Sequence, residues 1–242
     1  MLRSSSRAAL AARWVGCVCM SWSVCAAGAS LEVDPIRVTL SAAQPIAALT
    51  VRNAGTRPAG LHLQVMAWTQ AGAADDHYAV TPELLATPPI FMLAPGAVQT
   101  VRVGLRRAVD PERELAYRLY LQEIPDTVAP GGTGVRIALR IGVPVFVSPQ
   151  TPAAPLLRWR AQRDADAIVV HAQNMGNAHA RVVEMQLHSG SRTVAEAAGA
   201  YLLAGQSGRW RLAVTPMPAA GAPLRVSAKT TSGNVDADVV LE

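Results

Sequence analysis

The chain has 242 residues, of which 50% are hydrophobic, and this is enough for one large or two ordinary β-rich domains. Charged residues make up 16%, which excludes an intrinsically disordered protein and a coiled coil. The formal net charge of +5 falls to +2 once the three arginines of the first 29 residues are set aside, so nucleic-acid binding loses its main support. The 17 prolines and 18 glycines are spread at turn-like intervals, which favours many short strands over long helices.

Residues 1–29 have the features of a secretory signal peptide. Three arginines precede an apolar run that ends in small residues, and we predict cleavage before Ser30. A transmembrane anchor is excluded by length, since a span needs about 20 apolar residues. A lipoprotein signal at Cys17 or Cys25 is a more poorly matched alternative. Because all three cysteines lie in this leader, the mature chain is predicted to be exported without disulfides.

The mature chain begins with a run of short segments that alternate apolar and polar residues between turn signals. Pro35 interrupts the first segment, which indicates an edge strand. Trp68 is expected to anchor the core at the end of the third segment, and residues 71–76 are expected to form a polar turn. Seven strands at this spacing predict an immunoglobulin-like sandwich. The predicted strands are 31–40, 45–53, 60–70, 88–93, 98–105, 116–124 and 135–147.

A proline-rich connector, residues 149–155, is expected to be a stiff and extended linker. The segments beyond it predict a second, smaller sandwich, with strands at 156–163, 167–173, 180–188, 209–214, 224–231 and 235–241. The predicted organisation is therefore a signal peptide (1–29), an N-terminal immunoglobulin-like domain (30–148), a linker (149–155) and a C-terminal β-sandwich domain (156–242).

The last strand of the first run, residues 135–147, has one face that is entirely apolar. Its opposite face is mixed and includes Pro144, which indicates the edge or the exit of a strand because proline has no N–H to donate. An apolar row on an edge strand raises the question of whether it packs in this chain or against another protein. The row consists of Val135, Ile137, Leu139, Ile141, Val143 and Val145.

The sequence contains no constellation typical of an enzyme or of a metal site. The five histidines never fall at a metal-like spacing with cysteine or acidic partners. The segment 189–191 lacks the residues of a nucleophile elbow and is expected to be a hairpin turn, and the glycine run 131–134 lacks the lysine and helix of a phosphate loop. Arg37 and Arg118 stand out because each lies in an otherwise apolar strand. Each either reaches an anionic partner or extends to solvent, and the residues alone leave both interpretations open.

Five segments of the first run occur in an informative order and spacing: 34–37 (DPIR), 86–90 (ATPPI), 93–96 (LAPG), 116–125 (AYRLYLQEIP) and 135–147 (VRIALRIGVPVFV). Together they resemble the periplasmic chaperones of chaperone-usher pili, over nearly all of residues 31–149. The resemblance implies an all-β protein of two immunoglobulin-like sandwich domains in a boomerang arrangement, located in the periplasm. It also implies a chaperone, not an enzyme, that binds pilus subunits and delivers them to an outer-membrane usher. It implies no cofactor, no nucleic acid and no stable insertion into the membrane.

The resemblance assigns the apolar strand to the subunit. Chaperones of this family lend the last strand of the first domain to complete the unfinished sandwich of a pilus subunit. The donor strand corresponds here to residues 135–145, and its alternating side chains would fill the groove of the subunit. The residues implied by this match are Val135, Ile137, Leu139, Ile141 and Val143.

The resemblance also implies charged sites, from which this sequence departs in part. In the family, an arginine and a lysine hold the C-terminal carboxylate of the subunit. Arg37 matches the arginine, but Pro144 stands at the lysine position. We therefore expect Arg118, on the adjacent strand, to supply the second cation, with Arg140 as the next candidate.

Glu123 matches an acid of the ionic network that joins the two domains in the family. Ser148, however, replaces the arginine of that network. These departures, together with the VPVF ending of the donor strand, resemble the archaic branch of the family, which serves spore-coat protein U-like subunits.

Two other functional classes are alternatives. A structural pilus subunit or adhesin would also be exported and sandwich-like, but it should carry its own N-terminal donor extension. Here the first predicted strand begins directly after the predicted cleavage site. A secreted hydrolase is disfavoured because no acid-base or nucleophile constellation is present.

Overall fold

The structure is a computed structural model that describes residues 30–71, 75–125 and 138–242. The predicted signal peptide, the glycine run at 131–134 and the donor-strand residues Val135 and Ile137 lie outside the described residues. Within these ranges, β-strands are the only regular secondary structure, which confirms the all-β prediction. The same ranges contain no helix with the length and apolar character needed to cross a bilayer.

The first sandwich is formed by two sheets, in which the strands pair antiparallel except for the parallel pair of β2 and β10. One sheet has the order β1-β3-β8-β6, and the other has the order β2-β10-β9-β4-β5 with β7 also paired to β4. The strands are β1 (Leu31–Asp34), β2 (Val38–Leu40), β3 (Ile46–Asn53), β4 (Ala59–Ala71), β5 (Asp75–Val80), β6 (Leu84–Thr87), β7 (Ile90–Leu93), β8 (Val98–Leu105), β9 (Leu115–Ile124) and β10 (Arg140–Val147).

The core of this sandwich follows from the alternation in its strands. In β3 and β8 every second side chain is buried, and the same period recurs in β9. The facing rows of the two sheets meet in one hydrophobic cluster, which includes Leu49, Val51, Val101, Val103, Leu61, Leu119, Leu121, Val143 and Val145.

The second sandwich follows residues 149–155 and has its own core. A three-stranded sheet, β11-β12-β16, packs on a sheet of order β14-β13-β17-β18 with β15 also paired to β13. Its strands are β11 (Leu157–Asp164), β12 (Ala167–Asn174), β13 (Ala180–Ser189), β14 (Arg192–Ala198), β15 (Tyr201–Leu202), β16 (Ser207–Ala213), β17 (Pro223–Thr230) and β18 (Gly233–Val240). The two separate cores confirm the prediction of two immunoglobulin-like β-sandwich domains.

Four strands were not predicted from the sequence, and each of them is either short or an exposed edge. The strand β5 is almost entirely exposed, because it pairs only with β4 at the edge of its sheet, so Asp75 and Asp76 belong to a strand and not to a turn. The strands β6 and β15 are short, and β14 is another exposed edge. An edge strand with no buried row gives no period-two signal in the sequence.

Trp68 is buried, but its place differs from the prediction. Its side chain is absent from the main core of the first sandwich. It packs instead with Phe146 and with Leu203 of the second sandwich, in a small cluster between the two. Sequence periodicity identified the burial of Trp68 but could not identify which surface buries it.

Candidate functional site

The strand β10 has a free edge along its first half. On one side it pairs antiparallel with β9 over its whole length, from Arg140 to Val147. On the other side the parallel strand β2 pairs only with Val145, Phe146 and Val147. No described strand covers that side of the segment 140–144, whose backbone N–H and C=O groups can pair with a strand from another chain.

The apolar side chains near this edge change from half-buried to fully buried along the strand. Leu139 and Ile141 are half-buried, and Ile141 packs against the rim of the first core. Val143 is only 1% exposed and belongs to the core itself. In this conformation Val143 holds β10 in its own sandwich and does not present its side chain to a partner, which differs from the role expected from the resemblance.

Pro144 lies between the two arginines expected to bind a carboxylate. It is opposite Arg118 in the β9 register. Val38 is opposite Val145, so continuing the β2 register by one residue brings Arg37 beside Pro144. Neighbouring residues on adjacent strands are about 5 Å apart and share a face of the sheet. In this register Pro144 has Arg118 opposite it on one side, and Arg37, in the bend before β2, is next in line on the other.

Arg37 is available to a partner. It is exposed in the bend between β1 and β2. Its guanidinium forms no hydrogen bond or ion pair within the part of the chain that the structure describes. A carboxylate that reached this position would meet a full set of unused N–H donors.

Arg118 is held against aromatic rings. Its Cζ lies 4.1 Å from the centroid of the Trp68 ring, and its Nη2 donates to the Tyr78 hydroxyl over 3.4 Å. Burial raises the pKa of Tyr78 to about 12, and the hydrogen bond from Arg118 opposes part of that rise. The Arg118 Nε is buried without a hydrogen-bond partner, so this guanidinium also keeps unused donor capacity.

Gly142 leaves room for the side chains of Arg118 and Tyr120, and this role was not predicted from the sequence. A Cβ atom at Gly142 would lie 3.1 Å from Tyr120 Cε1 and 3.3 Å from Arg118 Cδ. Its absence lets both side chains lie flat across β10. Arg140, the next candidate for the second cation, lies on this face with its Cζ 3.9 Å from the Tyr120 centroid.

Glu123 forms its hydrogen bond within the first sandwich. Its Oε2 accepts the backbone N–H of Leu139 over 3.1 Å, and the Leu139 carbonyl accepts the backbone N–H of Glu123 over 2.8 Å. These bonds hold the residues just before β10 against the end of β9. They position the candidate donor segment and do not reach the second sandwich.

Two other polar residues join the sandwiches. Gln70 is buried, and its amide accepts the Leu203 N–H and donates to the Tyr201 carbonyl, each over 2.9 Å. Glu114 accepts the backbone N–H of His179 over 2.9 Å, and its Oε1 lies 2.7 Å from His179 Nδ1. The only sequence signal for Gln70 is a polar residue in the buried phase of an alternating strand.

Glu83 links the start of β6 to β9 and gives a testable pH dependence. Its carboxylate accepts the Tyr117 hydroxyl and the Arg107 guanidinium, each over 2.6 Å. The hydrogen bond from Tyr117, and then Arg107, lowers the pKa of Glu83 below its ordinary value. This stabilisation is complete above the unfolded-state pKa and is lost as pH falls through the folded-state pKa.

We therefore expect Glu83→Gln to lower the free energy of unfolding by about 1 kcal/mol at neutral pH. The difference from the unchanged protein should shrink as the solution becomes acidic, because a protonated carboxyl resembles the amide. Denaturant unfolding at a series of pH values measures this. The exposed Glu112 provides the control, since Glu112→Gln should give no such convergence; a constant difference for Glu83→Gln would contradict the assignment.

No metal centre emerges from the described residues, since they contain no group of three or more His, Cys, Asp or Glu side chains that could hold an ion. The features of the site are a free strand edge, a short apolar row and two arginines, Arg37 and Arg118. Such a surface can bind an extended chain that ends in a carboxylate.

Comparisons with known proteins agree with this geometry. The family model for the pili and flagellar-assembly chaperone, PapD N-terminal domain, matches residues 30–153. A sequence search of curated proteins gives no significant match.

Solved structures share the fold over most of the chain. A CsuC–CsuE chaperone–tip adhesion subunit pre-assembly complex, from archaic chaperone-usher Csu pili of Acinetobacter baumannii, is 19% identical with a TM-score of 0.67, covering 88% of this chain and 99% of that chain. The CupB2 chaperone of Pseudomonas aeruginosa is 16% identical with a TM-score of 0.58, covering 86% and 98%. The SafA pilin in complex with the SafB chaperone of Salmonella enterica is 16% identical with a TM-score of 0.60, covering 88% and 96%.

The matching family is one of assembly chaperones and not of enzymes, as the sequence motifs led us to expect. Because its model matches more than half of this chain, the protein belongs to the pili and flagellar-assembly chaperones.

Proposed function

We propose that this protein is a periplasmic chaperone that binds and folds pilus subunits by donor-strand complementation and delivers them to an outer-membrane usher. Membership of the family makes it a chaperone of pilus assembly. The mode of binding, the usher and the periplasmic location are the proposed part. In this assignment residues 1–29 are a signal peptide, 30–148 are the chaperone domain, 149–155 are the linker and 156–242 are the C-terminal domain.

The observation that carries the proposal is the free edge of β10. The segment 140–144 offers a backbone ladder on one side, while β9 holds it in place on the other. Leu139 and Ile141 lie beside this edge with part of each side chain accessible. We propose that both continue the apolar row that Val135 and Ile137 begin, so that four aliphatic side chains enter the groove of the subunit.

The magnitudes suit reversible binding. Four buried aliphatic side chains contribute roughly 6–12 kcal/mol gross, and the cost of ordering the two partners removes a large part of it. Ladder hydrogen bonds add about 1 kcal/mol each and fix the register. The result is tight enough to hold a subunit and weak enough to release it to a better-fitting strand.

The C-terminal carboxylate of the subunit would bind beside Pro144, between Arg37 and Arg118. Two guanidiniums there replace the arginine and lysine of better-known members of the family. Arginine pairs with carboxylates through two parallel N–H donors, which fixes the end of the bound chain. We assign the protein to the archaic branch on this substitution, and the fold similarity to the chaperone-subunit complex of archaic Csu pili supports the assignment.

Co-expression with a pilus subunit in the periplasm of a host cell tests the proposal. The expected result is a stable complex of one chaperone and one subunit that survives purification. Adding a purified outer-membrane usher should then transfer the subunit from the chaperone into a subunit-subunit assembly. Recovery of folded subunit at the same yield without the chaperone would contradict the proposal.

A further inference from the structure

The second sandwich carries a cationic face that the proposed function does not use. The face is the outer surface of the three-stranded sheet β11-β12-β16. Arg160 is paired with His171, and His171 is paired with Arg209, so three basic side chains form one row across the sheet. Arg158 lies two residues before Arg160 on β11 and extends the face along the strand.

These arginines lack the partners that their neighbours have. On the same sheet Arg211 forms ion pairs with Asp164 and Asp166, at 3.2 and 2.9 Å. Arg158, Arg160 and Arg209 are exposed and form no ion pair with any described carboxylate. Each of these guanidiniums therefore keeps its N–H donors for an anion from outside the described chain.

A cavity lies on this face and is lined by hydrogen-bond donors. Its volume is about 430 Å³. Its floor is the Trp159–Ala172 pair, whose side chains belong to the second core. Its walls are formed by Arg158, Arg160, His171, Gln173 and Ser207, and no acidic residue lines it.

The outer surface of the opposite sheet of the same sandwich carries charges of both signs, since Arg181, Arg225 and Lys229 lie there together with acidic side chains. This surface carries four acidic side chains, and Asp238 pairs with Arg225 over 2.8 Å. The four are Glu184, Glu196, Asp236 and Asp238. The cationic face is therefore a local feature of one sheet and not a consequence of the net charge of the chain.

We propose that this face binds an extended acidic segment of a partner protein, with carboxylates at alternate residues. Alternate residues of an extended chain are about 7 Å apart, which is also the spacing of Arg158 and Arg160 along β11. The guanidinium fork matches a carboxylate through two parallel hydrogen bonds. One carboxylate binds Arg158 and the next binds Arg160 along β11, while Arg209, two strands away across the sheet, adds to the positive field over the face.

An anionic membrane fits the face less well. Peripheral membrane attachment combines basic residues with apolar or aromatic side chains that enter the lipid. Among the accessible outward-facing described residues of the three strands, the apolar side chains are the half-buried Val169 and the small Ala213, and none is aromatic. The donors are instead grouped around one small cavity, which suits discrete carboxylates.

Fluorescence anisotropy with a labelled peptide of alternating glutamate and serine tests the proposal. We expect the unchanged protein to bind it at low ionic strength and to release it at about 1 M salt, where the Debye length is about 3 Å. A peptide with glutamine in place of glutamate should not bind. The triple variant Arg158→Gln, Arg160→Gln, Arg209→Gln should bind the glutamate peptide at least about tenfold more weakly than the unchanged protein does.

Arg192→Gln is the matched control, because Arg192 is also an exposed strand arginine without an ion pair among the described residues, but on the opposite sheet. It should bind the glutamate peptide as the unchanged protein does. A Leu139→Asp variant should also retain peptide binding, which separates this surface from the donor strand. Equal binding by the triple variant would overturn the proposal. So would binding of vesicles of phosphatidylcholine and phosphatidylglycerol without binding of the peptide.

Discussion

Leu139→Asp should leave the protein folded and abolish its complex with a pilus subunit. Leu139 is half-buried just before β10, where its backbone is fixed by Glu123 and its side chain remains partly accessible. An aspartate there removes one apolar side chain from the subunit groove and places a carboxylate in its position. We expect the two effects to cost at least about 3 kcal/mol, which is more than a 100-fold loss of affinity. Co-purification of subunit with tagged chaperone, together with thermal unfolding of the free chaperone, measures both outcomes.

An aspartate four residues further along the chain, at Val143, should have the opposite effect, because it should unfold the protein. Val143 is 1% exposed in the first core, so Val143→Asp buries a carboxylate without a partner. A buried unpaired charge costs several kcal/mol, which is comparable with the whole stability of an ordinary domain. This variant should therefore fail to accumulate as folded protein, and its loss of subunit binding would be secondary.

Val98→Asp is a matched control, since Val98 is 58% exposed on β8 in the other sheet. It should neither unfold nor lose the subunit. If Leu139→Asp unfolded as readily as Val143→Asp, the whole row would belong to the core of this chain. If Leu139→Asp were folded and still held the subunit at the unchanged level, the segment before β10 would not be the donor strand.

The fold was predictable from sequence because most strands bury a complete row of side chains. The strands β3, β8 and β9 alternate strictly, and their bounds differ from the predicted ones by at most one residue. The edge strands β5 and β14 were missed, since neither contains a fully buried side chain: Tyr78 is the half-buried residue of β5, and the residues of β14 that pack on the second core are only partly covered. A strand that buries one face needs apolar residues at alternate positions, and this alternation is visible in the sequence. An edge strand without a buried row does not need it.

The residue types of the candidate site were predictable from sequence, but the burial of each side chain was not. The apolar row 135–145 is uniform in sequence, and only the structure shows that Val143 is committed to the first core while Ile141 lies at its rim. Val143 is already buried although β2 pairs only from Val145 onward, so its burial is set by packing in the first core and is a property of tertiary structure. Pro144 marks a different boundary, the end of the free strand edge, one residue before the pairing with β2 starts.

The contact between the sandwiches was the least predictable part. Gln70 and Glu114 make hydrogen bonds to residues more than 60 positions away, and no local pattern encodes such a pairing. The resemblance assigned Glu123 to an ionic network between the domains, whereas in the structure its carboxylate accepts a hydrogen bond from the backbone N–H of Leu139. A role inferred from a resemblance needs the partner residue as well as the residue itself. Here Ser148 stands in place of the arginine that would pair with Glu123.

Arg37→Ala should abolish the subunit complex through loss of the carboxylate anchor, and Arg118→Ala should weaken it severely. Arg37 is exposed and unpaired among the described residues, whereas Arg118 lies on the Trp68 ring with its buried Nε unsatisfied. Removing one partner of a desolvated ion pair costs about 3–5 kcal/mol, because the remaining charge is left buried and unpaired. Arg118→Ala should also lower the stability of the free protein by about 1 kcal/mol through loss of the cation–π contact, whereas Arg37→Ala should not. Co-purification and unfolding measurements together separate these effects.

A peptide with the C-terminal sequence of the subunit, prepared as the free acid and as the amide, makes this test specific. If Arg37 and Arg118 bind the terminal carboxylate, the unchanged protein should prefer the acid, and each alanine variant should lose most of that preference. Arg102→Ala is the control for the loss of an exposed arginine, since Arg102 lies on β8 in the other sheet and should leave the preference intact. If Arg118→Ala kept the full preference and Arg140→Ala lost it, the second cation would be Arg140, which lies on the donor strand itself. Retention of the preference by Arg37→Ala would remove the carboxylate anchor from the mechanism and leave the strand edge as the whole of the binding site.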